Sequence, residues 1–326
     1  MFNLFSKKSK SILGVDFGTS VIKIAELSRH AGKYNLDAYG LAKMEIGKET
    51  QRNVKEVSEV LKELLVSTQV KSNKAYIAIP EAFTFTALVE LPMMPEAELA
   101  KAIPFEARKY IPIPEDQIYL EWIILPPAEV APAAMALPNS VATAPIAPKN
   151  SVLLIAVMRD AVDNFMQIAS SVNLSVIGFE IESFSLMRAV LGEEADPILI
   201  VDVGTHSINI DTIDGGFLRF NYEQELPMLA NRDNPIIQKQ IIDSIVLEVQ
   251  RAINLYLGKT GKKIERCIIA GGGSFITGLV ESFTQRLGVI ALQANPFSGI
   301  IYPEVLKPAV DEIGPSLSVA IGLAKR

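Results

Sequence analysis

Val15-Asp16-Phe17-Gly18-Thr19-Ser20-Val21-Ile22-Lys23-Ile24 and Val201-Asp202-Val203-Gly204-Thr205-His206-Ser207-Ile208-Asn209-Ile210 align without a gap, and six of the ten positions are identical. Each copy ends an apolar run on aspartate, turns on Gly-Thr and returns as a second apolar run. Two such copies imply two related lobes facing each other. Gly18 and Gly204 let backbone amides come close to an anion. Thr19, Ser20 and Thr205 add hydroxyl donors, and His206 adds an imidazole. Asp16 and Asp202, at strand ends, are placed to hold Mg²⁺, directly or through water, beside phosphates. A third stretch, Gly271-Gly272-Gly273-Ser274, follows an apolar run and precedes helical spacing; amides there can face a nucleotide. Taken singly, each Asp-x-Gly-Thr reads as a tight hairpin. Matched copies joined by the glycine triplet read as phosphate loops opposed across a cleft.

Working outward, apolar runs and their spacing predict a strand meander over 12–17, 21–27 and 34–41, a helix over 54–66 and a strand over 75–79. Strands follow at 83–91, 118–125, 151–158 and 174–179, with helices at 96–110 and 160–172. Pro104 must kink the first of these helices or lie near its start. Residues 126–148 are rich in Pro and Ala and read as a flexible extended loop. After a helix at 183–191 the meander returns at 198–203, 207–213 and 217–222, with Asp214-Gly215-Gly216 as a hairpin turn. The spacing then predicts a long helix over 236–257 ended by Gly258, a strand over 264–270, a helix over 275–287 and a last helix over 316–324.

The composition agrees with a folded two-lobed protein. Of 326 residues 49% are apolar, enough for a sizeable core and too many for disorder over most of the chain. The 31 basic and 37 acidic side chains leave a net charge of −6, which argues against a nucleic-acid footprint. Cys267 is the one cysteine, and no secretory signal is evident, so a reducing cytoplasm is the expected compartment. No apolar run approaches the roughly 18 residues of a membrane helix. Lys7, Lys8 and Lys10 beside Phe2, Leu4 and Phe5 could touch an anionic membrane weakly, although a solvated terminus explains them as well. Neither a zinc-ligand cluster nor a Ser/His/Asp set is evident.

The three glycine motifs in this order resemble the actin-like ATPase superfamily. Further stretches resemble the PilM-like proteins of type IV pilus assembly, relatives of FtsA: Leu13–Leu27, Leu91–Leu99, Glu106-Ala-Arg-Lys-Tyr-Ile-Pro-Ile-Pro114, Glu182–Ala189, Glu248–Ala252, Gly271–Leu279 and Ala320–Ala324. The Glu-Ala-x-x-Tyr-Ile-Pro stretch is the most diagnostic, and the resemblance covers nearly the whole chain. It implies an α/β, ribonuclease H-like two-lobed fold. Residues 1–80 would begin lobe 1 as subdomain 1A, and 81–180 would form an inserted SHS2-type 1C subdomain carrying the 126–150 loop. Residues 181–326 would supply a hinge helix and the second lobe, the C-terminal helix returning to 1A. Only about a dozen residues separate Tyr222 from Ile236, where the family usually carries subdomain 2B.

The resemblance implies a cytoplasmic component of the inner-membrane pilus platform, or of a related secretion platform. It would bind the N-terminal peptide of a PilN-like membrane protein and meet other platform proteins. The groove lining expected for that peptide is Ile22, Ile24 and Leu27 with Phe83, Phe85 and Ile111; ordinary core is the competing reading of each. ATP and Mg²⁺ are the implied cofactors, and the shortened 2B region counts against tight binding, so no ATPase activity or a weak one is expected. The alternative is a working actin-like ATPase or small-molecule kinase, for which Glu182 is the one candidate to orient a nucleophile; its competing role is a helix N-terminal charge. An FtsA-like filament is disfavoured because Gly322–Arg326 reads as part of a core helix and not as a membrane anchor.

Overall fold

The computed structural model describes residues 11–44, 53–126, 149–192, 196–232 and 234–326. The basic N-terminal stretch and nearly all of the Pro/Ala-rich loop lie outside the described residues. The chain divides into two compact units, Met1–Pro80 with Ala161–Leu191 and Ala294–Arg326, and Glu81–Asp160 with Gly192–Gln293.

The first unit is built on a six-stranded mixed sheet. The meander β1 (Ile12–Phe17), β2 (Val21–His30) and β3 (Lys33–Lys43) is antiparallel; β4 (Lys74–Ile79) joins β1 and β8 (Ser175–Ile181) joins β4 in parallel. A two-residue strand, β14 (Ile300–Ile301), closes the other edge beside β3. β8 falls within 81–180, yet it pairs in this sheet, so the chain has returned to the first unit before residue 180.

Strand alternation gives this sheet two apolar faces. On one, Phe17 stacks on Phe165 of α3 (Arg159–Ser171), and Leu64 of α1 (Val54–Ser67) lies against Gly40. α1 starts where the Asn53 side chain accepts from the Lys55 amide, a local N-cap. On the other, Ala25 and Leu27 pack with Phe297, Val310 of α7 (Lys307–Ile313) and Leu317, Ala320 and Ile321 around α8 (Ser318–Ala324). α8 is buried along its whole length against β1 and against α4 (Glu182–Val190). This approach is set by two glycines. A Cβ on Gly14 would overlap the carbonyl of Ala320, and one on Gly322 would overlap the carbonyl of Ser185. Around that contact Glu180 accepts from Ser185 Oγ at 2.7 Å and from Arg188 at 2.5 and 2.7 Å, and Arg188 also donates to the Gly322 carbonyl at 2.8 Å. Lys325 donates to the carbonyls of Ala189 and Pro296, and burial pulls its pKa down. A second clasp sits at Glu26, 1% exposed, which accepts from Ser11 Oγ and from the amides of Lys71 and Ser72.

The second unit holds two sheets. In the five-stranded sheet, β9 (Ile198–Val203), β10 (Ser207–Asp214) and β11 (Phe217–Glu225) form the second meander, and β12 (Arg266–Ala270) and β13 (Ile290–Gln293) add in parallel. Its hairpin turn uses Gly215 and Gly216, both at positive φ (63° and 79°), the conformation a two-residue hairpin needs. The long α5 (Pro235–Thr260) and the short α6 (Leu279–Leu287) cover one face through Ile241, Ile245, Val249, Tyr256, Leu279 and Phe283. Pro235 and the Asn234 cap start α5. It runs past Gly258 and stops at Gly261, whose φ of 71° is the left-handed C-cap. The expected helix over 275–287 is instead a 3-10 turn over Gly272–Phe275 and then α6, set off by Gly278 at φ 84°. The smaller sheet has β7 (Lys149–Met158) between β5 (Thr84–Pro92) and β6 (Ile118–Leu125), all antiparallel. α2 (Glu96–Ala107) covers one face through Leu99, Ile103 and Ala107, and it accommodates Pro104 inside its last turn.

Two phenols in this unit, Tyr256 buried and Tyr222 half-buried, give it an alkaline limit. Tyr222 donates to the Glu248 carbonyl at 3.0 Å, and burial, reinforced by the Glu248 carboxylate, pushes its pKa up to about 12. Tyr256 is raised too, by burial and by its bond to Asp214. A phenol whose folded pKa exceeds its unfolded value near 10 holds its proton more tightly in the folded state, so stability is intact below pH 10 and falls as pH rises towards 12. Urea unfolding should show the denaturation midpoint dropping between pH 9.5 and 11.5, with a shallower drop in Tyr222→Phe; a flat profile would refute this assignment.

Candidate functional site

The two phosphate-loop candidates are superimposable in register. Asp16 faces Lys23, Val15 faces Ile24 and Phe17 faces Ile22; Asp202 faces Asn209, Val201 faces Ile210 and Val203 faces Ile208. In both turns a Cβ on the glycine would crowd a carbonyl three residues on, Val21 O for Gly18 (2.8 Å) and Ser207 O for Gly204 (3.0 Å). The sequence repeat is therefore a repeat of one hairpin.

The loops differ in what they leave open. In the first, Asp16 is 1% exposed and accepts from Lys23 Nζ at 2.9 Å through Oδ2. Its Oδ1, and Ser20 Oγ on the same turn, are buried without a hydrogen-bond partner. Such orphaned atoms are uncommon and mark an unsatisfied site. Thr19 is exposed at the tip, and the Ser20 carbonyl is pinned by the Met44 amide at 2.8 Å. In the second loop the carbonyls are occupied: Gly204 O accepts from Arg232 Nη1 at 3.2 Å and His206 O from the Leu226 amide at 2.6 Å. Thr205 and His206 are half-buried. Lys23 and Arg232 were not singled out from the sequence. Lys23 was within reach of that reading, because a hairpin turning on 18–20 sets it opposite Asp16. Arg232 was not, since it lies outside the repeat.

The glycine triplet packs onto the second loop. A Cβ on Gly271 would overlap Asp202 Oδ1 and the Val203 carbonyl, and one on Gly273 would overlap the Val203 side chain. Gly271 is also at φ 78°, where side chains are strained. These glycines seat the loop against the end of β9. Gly271→Ala should cost about 3 kcal/mol or more in urea unfolding, whereas Gly192→Ala, with open space around it, should be near neutral. Equal effects would refute the packing argument. Glu182 is the first residue of α4, half-buried, where an acidic side chain favours the helix N-terminus.

Four expected groove residues are placed otherwise. Ile22 and Ile24 are fully buried and Leu27 nearly so, because β2 lies inside the sheet, paired on both sides and covered on both faces. Ile111 packs into the α2 core. None of the four presents a surface to a peptide, and β2 offers no free edge. Phe83 is half-buried and Phe85 is 36% exposed. Among the described residues no cluster of three His, Cys, Asp or Glu forms a metal site.

Comparison with known proteins sets these features in a family. The chain resembles a solved structure described as a PilM-PilN type IV pilus biogenesis complex at 20% identity and TM-score 0.79, covering 97% of this chain and 98% of that one. It also resembles the ethanolamine utilization protein EutJ from Carboxydothermus hydrogenoformans at 15% identity and TM-score 0.56, covering 96% and 89%. The expected actin-like α/β fold is thus shown. The model of the family described as Type IV pilus assembly protein PilM matches residues 14–227 and 234–326. Its interruption falls in the short connection between β11 and α5, which holds one 3-10 turn, Pro227–Asn231. With both hairpins, the glycine triplet and the three-stranded sheet inside the match, the chain belongs to the PilM family of type IV pilus assembly proteins.

Proposed function

We propose that the chain is the cytoplasmic adaptor of a pilus assembly platform, holding the N-terminal cytoplasmic segment of a PilN-like inner-membrane protein. The family match over nearly the whole chain carries this reading, and the likeness to a structure described as a PilM-PilN complex supports it. No helix among the described residues is long and apolar enough to cross a membrane; attachment to the inner face of the membrane through the partner is part of the same proposal. Phe83 and Phe85 are the expected groove residues left accessible to it.

The first loop fits a nucleotide with Mg²⁺. Asp16 Oδ1 and Ser20 Oγ are buried and unsatisfied, and Lys23 brings a cation to the same turn. On the first unit's loop, Asp16 would hold the metal through water, with Ser20, Gly18 and Thr19 donating to phosphate; the second unit's loop carries its own candidate set, Thr205 and His206 as donors and Asp202 as carboxylate, while the Gly204 amide is taken by the Ser207 carbonyl at 2.9 Å. Bound Mg²⁺ would neutralise phosphate charge. The short 226–234 connection leaves little protein to hold a nucleoside, so the nucleotide is a weak regulator or structural ligand, and Glu182 is left as a helix-start charge.

Calorimetry of the full chain tests both parts. A synthetic peptide with the N-terminal sequence of the PilN-like protein encoded beside this chain should bind saturably. No peptide binding together with steady ATP turnover would replace the adaptor with the enzyme. Mg-ATP should bind weakly and lose affinity in Asp16→Asn.

A further inference from the structure

Among the described residues, the three-stranded sheet ends on a strand with no bulge, proline or lysine to protect its edge. β6 bonds to β7 on one side, and among the described residues no strand pairs with its other side. Its eight residues, Ile118-Tyr-Leu-Glu-Trp-Ile-Ile-Leu125, carry one charge and no Lys, Pro or Gly, and the register with β7 runs without a bulge. Natural edges are blunted by just those features. Tyr119, Ile123 and Ile124 are 43%, 37% and 41% exposed.

Two charges beside this edge make no ion pair among the described residues, with Glu115 and Asp116 lining the same cleft as Arg159. The Arg159 guanidinium lies 4.1 Å from the Tyr119 ring centroid, and its Nε is buried with no hydrogen-bond acceptor. Glu121, exposed and the one charge of β6, makes no ion pair among the described residues. Tyr119 and Glu121 are two apart on the strand and so share a face.

We propose that this edge pairs, antiparallel, with the same edge of a second copy of the chain about a two-fold axis at Leu120, making one six-stranded sheet from two three-stranded ones. This surface is separate from the peptide and nucleotide readings above. In an antiparallel ladder a two-fold axis passes between directly opposed residues, so one residue of β6 must meet its own copy. An axis at Glu121 would set two carboxylates against each other. An axis at Trp122 would place Glu121 against Ile123 and leave Arg159 unanswered. An axis at Leu120 places Tyr119 opposite Glu121 of the second copy, so each Arg159, stacked over Tyr119, gains a carboxylate acceptor. It also sets Trp122 of the second copy opposite Ile118. That face lines an open cleft of about 530 Å³ bordered by Ile118, Leu120, Trp122 and Pro104 together with Glu115, Asp116 and Arg159, and Trp122 packs there against its own core.

Sedimentation velocity of the full chain across a concentration series should show a monomer–dimer equilibrium. Glu121→Arg and Arg159→Glu should each weaken association about tenfold or more, and the double charge swap should restore it to within a few-fold of the parent. Circular dichroism melts check that each variant folds; Glu121 is exposed, so Glu121→Arg carries the test if Arg159→Glu does not fold. Oxidised Leu120→Cys should give a covalent dimer. Cys267, 1% exposed and with its thiol pKa pushed up by burial, stays silent in that assay. A monomer at every concentration, a dimer indifferent to both swaps, or cross-linking at Trp122→Cys in place of Leu120→Cys would overturn the proposal.

Discussion

Gly322→Ala should destabilise the protein by more than about 4 kcal/mol, and Gly322→Val should leave no soluble folded protein. A glycine inside a helix is normally improved by alanine, by about 1 kcal/mol. Here the sign reverses, because the added Cβ would overlap the Ser185 carbonyl in α4, backbone that cannot rotate away. Relief would require α8 to move off α4 and β1. That shift would open the packing of Leu317, Ala320 and Ile321 and break the bond from Arg188 to the Gly322 carbonyl. Thermal and urea unfolding of Gly322→Ala beside Gly192→Ala measure the effect. A Gly322→Ala protein that melts within a few degrees of the parent would show that the close approach is not what holds the helix.

Asp214→Ala should cost about 3–5 kcal/mol, the range for removing one partner of a buried, hydrogen-bonded charge. Asp214 is 2% exposed at the end of β10 and accepts from Tyr256 Oη at 2.6 Å and from Lys262 Nζ at 2.9 and 3.0 Å. Truncation strands a phenol and an ammonium group between β10 and the end of α5. Lys262→Met should cost much less, because Lys262 is 21% exposed and Asp214 keeps its bond from Tyr256. If the lysine variant proves the worse of the two, the carboxylate is not the centre of the cluster.

Much of this architecture was legible because its elements are locally encoded. Both meanders, the Asp214-Gly215-Gly216 turn, α1 and α5 follow from alternation, turn residues and caps that act within a few positions. What was misread depends on distant partners. Gly258 and Gly261 both suit a helix end, and only the left-handed φ at 261 decides between them. β13 and β14 are too short for a periodic signal and exist because β12 and β3 offer them edges. Ile22, Ile24 and Leu27 show the same limit at the candidate site: an apolar alternating strand can line a groove or lie in a core, and pairing on both sides settles it.

The burial of α8 also bears on how the chain is made. The first unit draws on three stretches of sequence, and Ser318–Ala324 fills its core against strands encoded about 300 residues earlier. Until those last residues emerge from the ribosome, β1 and β2 present Gly14, Ala25 and Leu27 without their cover. The stretches of the second unit, ending at Gln293, are all synthesised before the first unit's last stretch, Ala294–Arg326. Vectorial synthesis therefore favours completing the later-numbered sheet before the earlier one, and it leaves the β1–β2 hairpin uncovered until Ser318–Ala324 has been made.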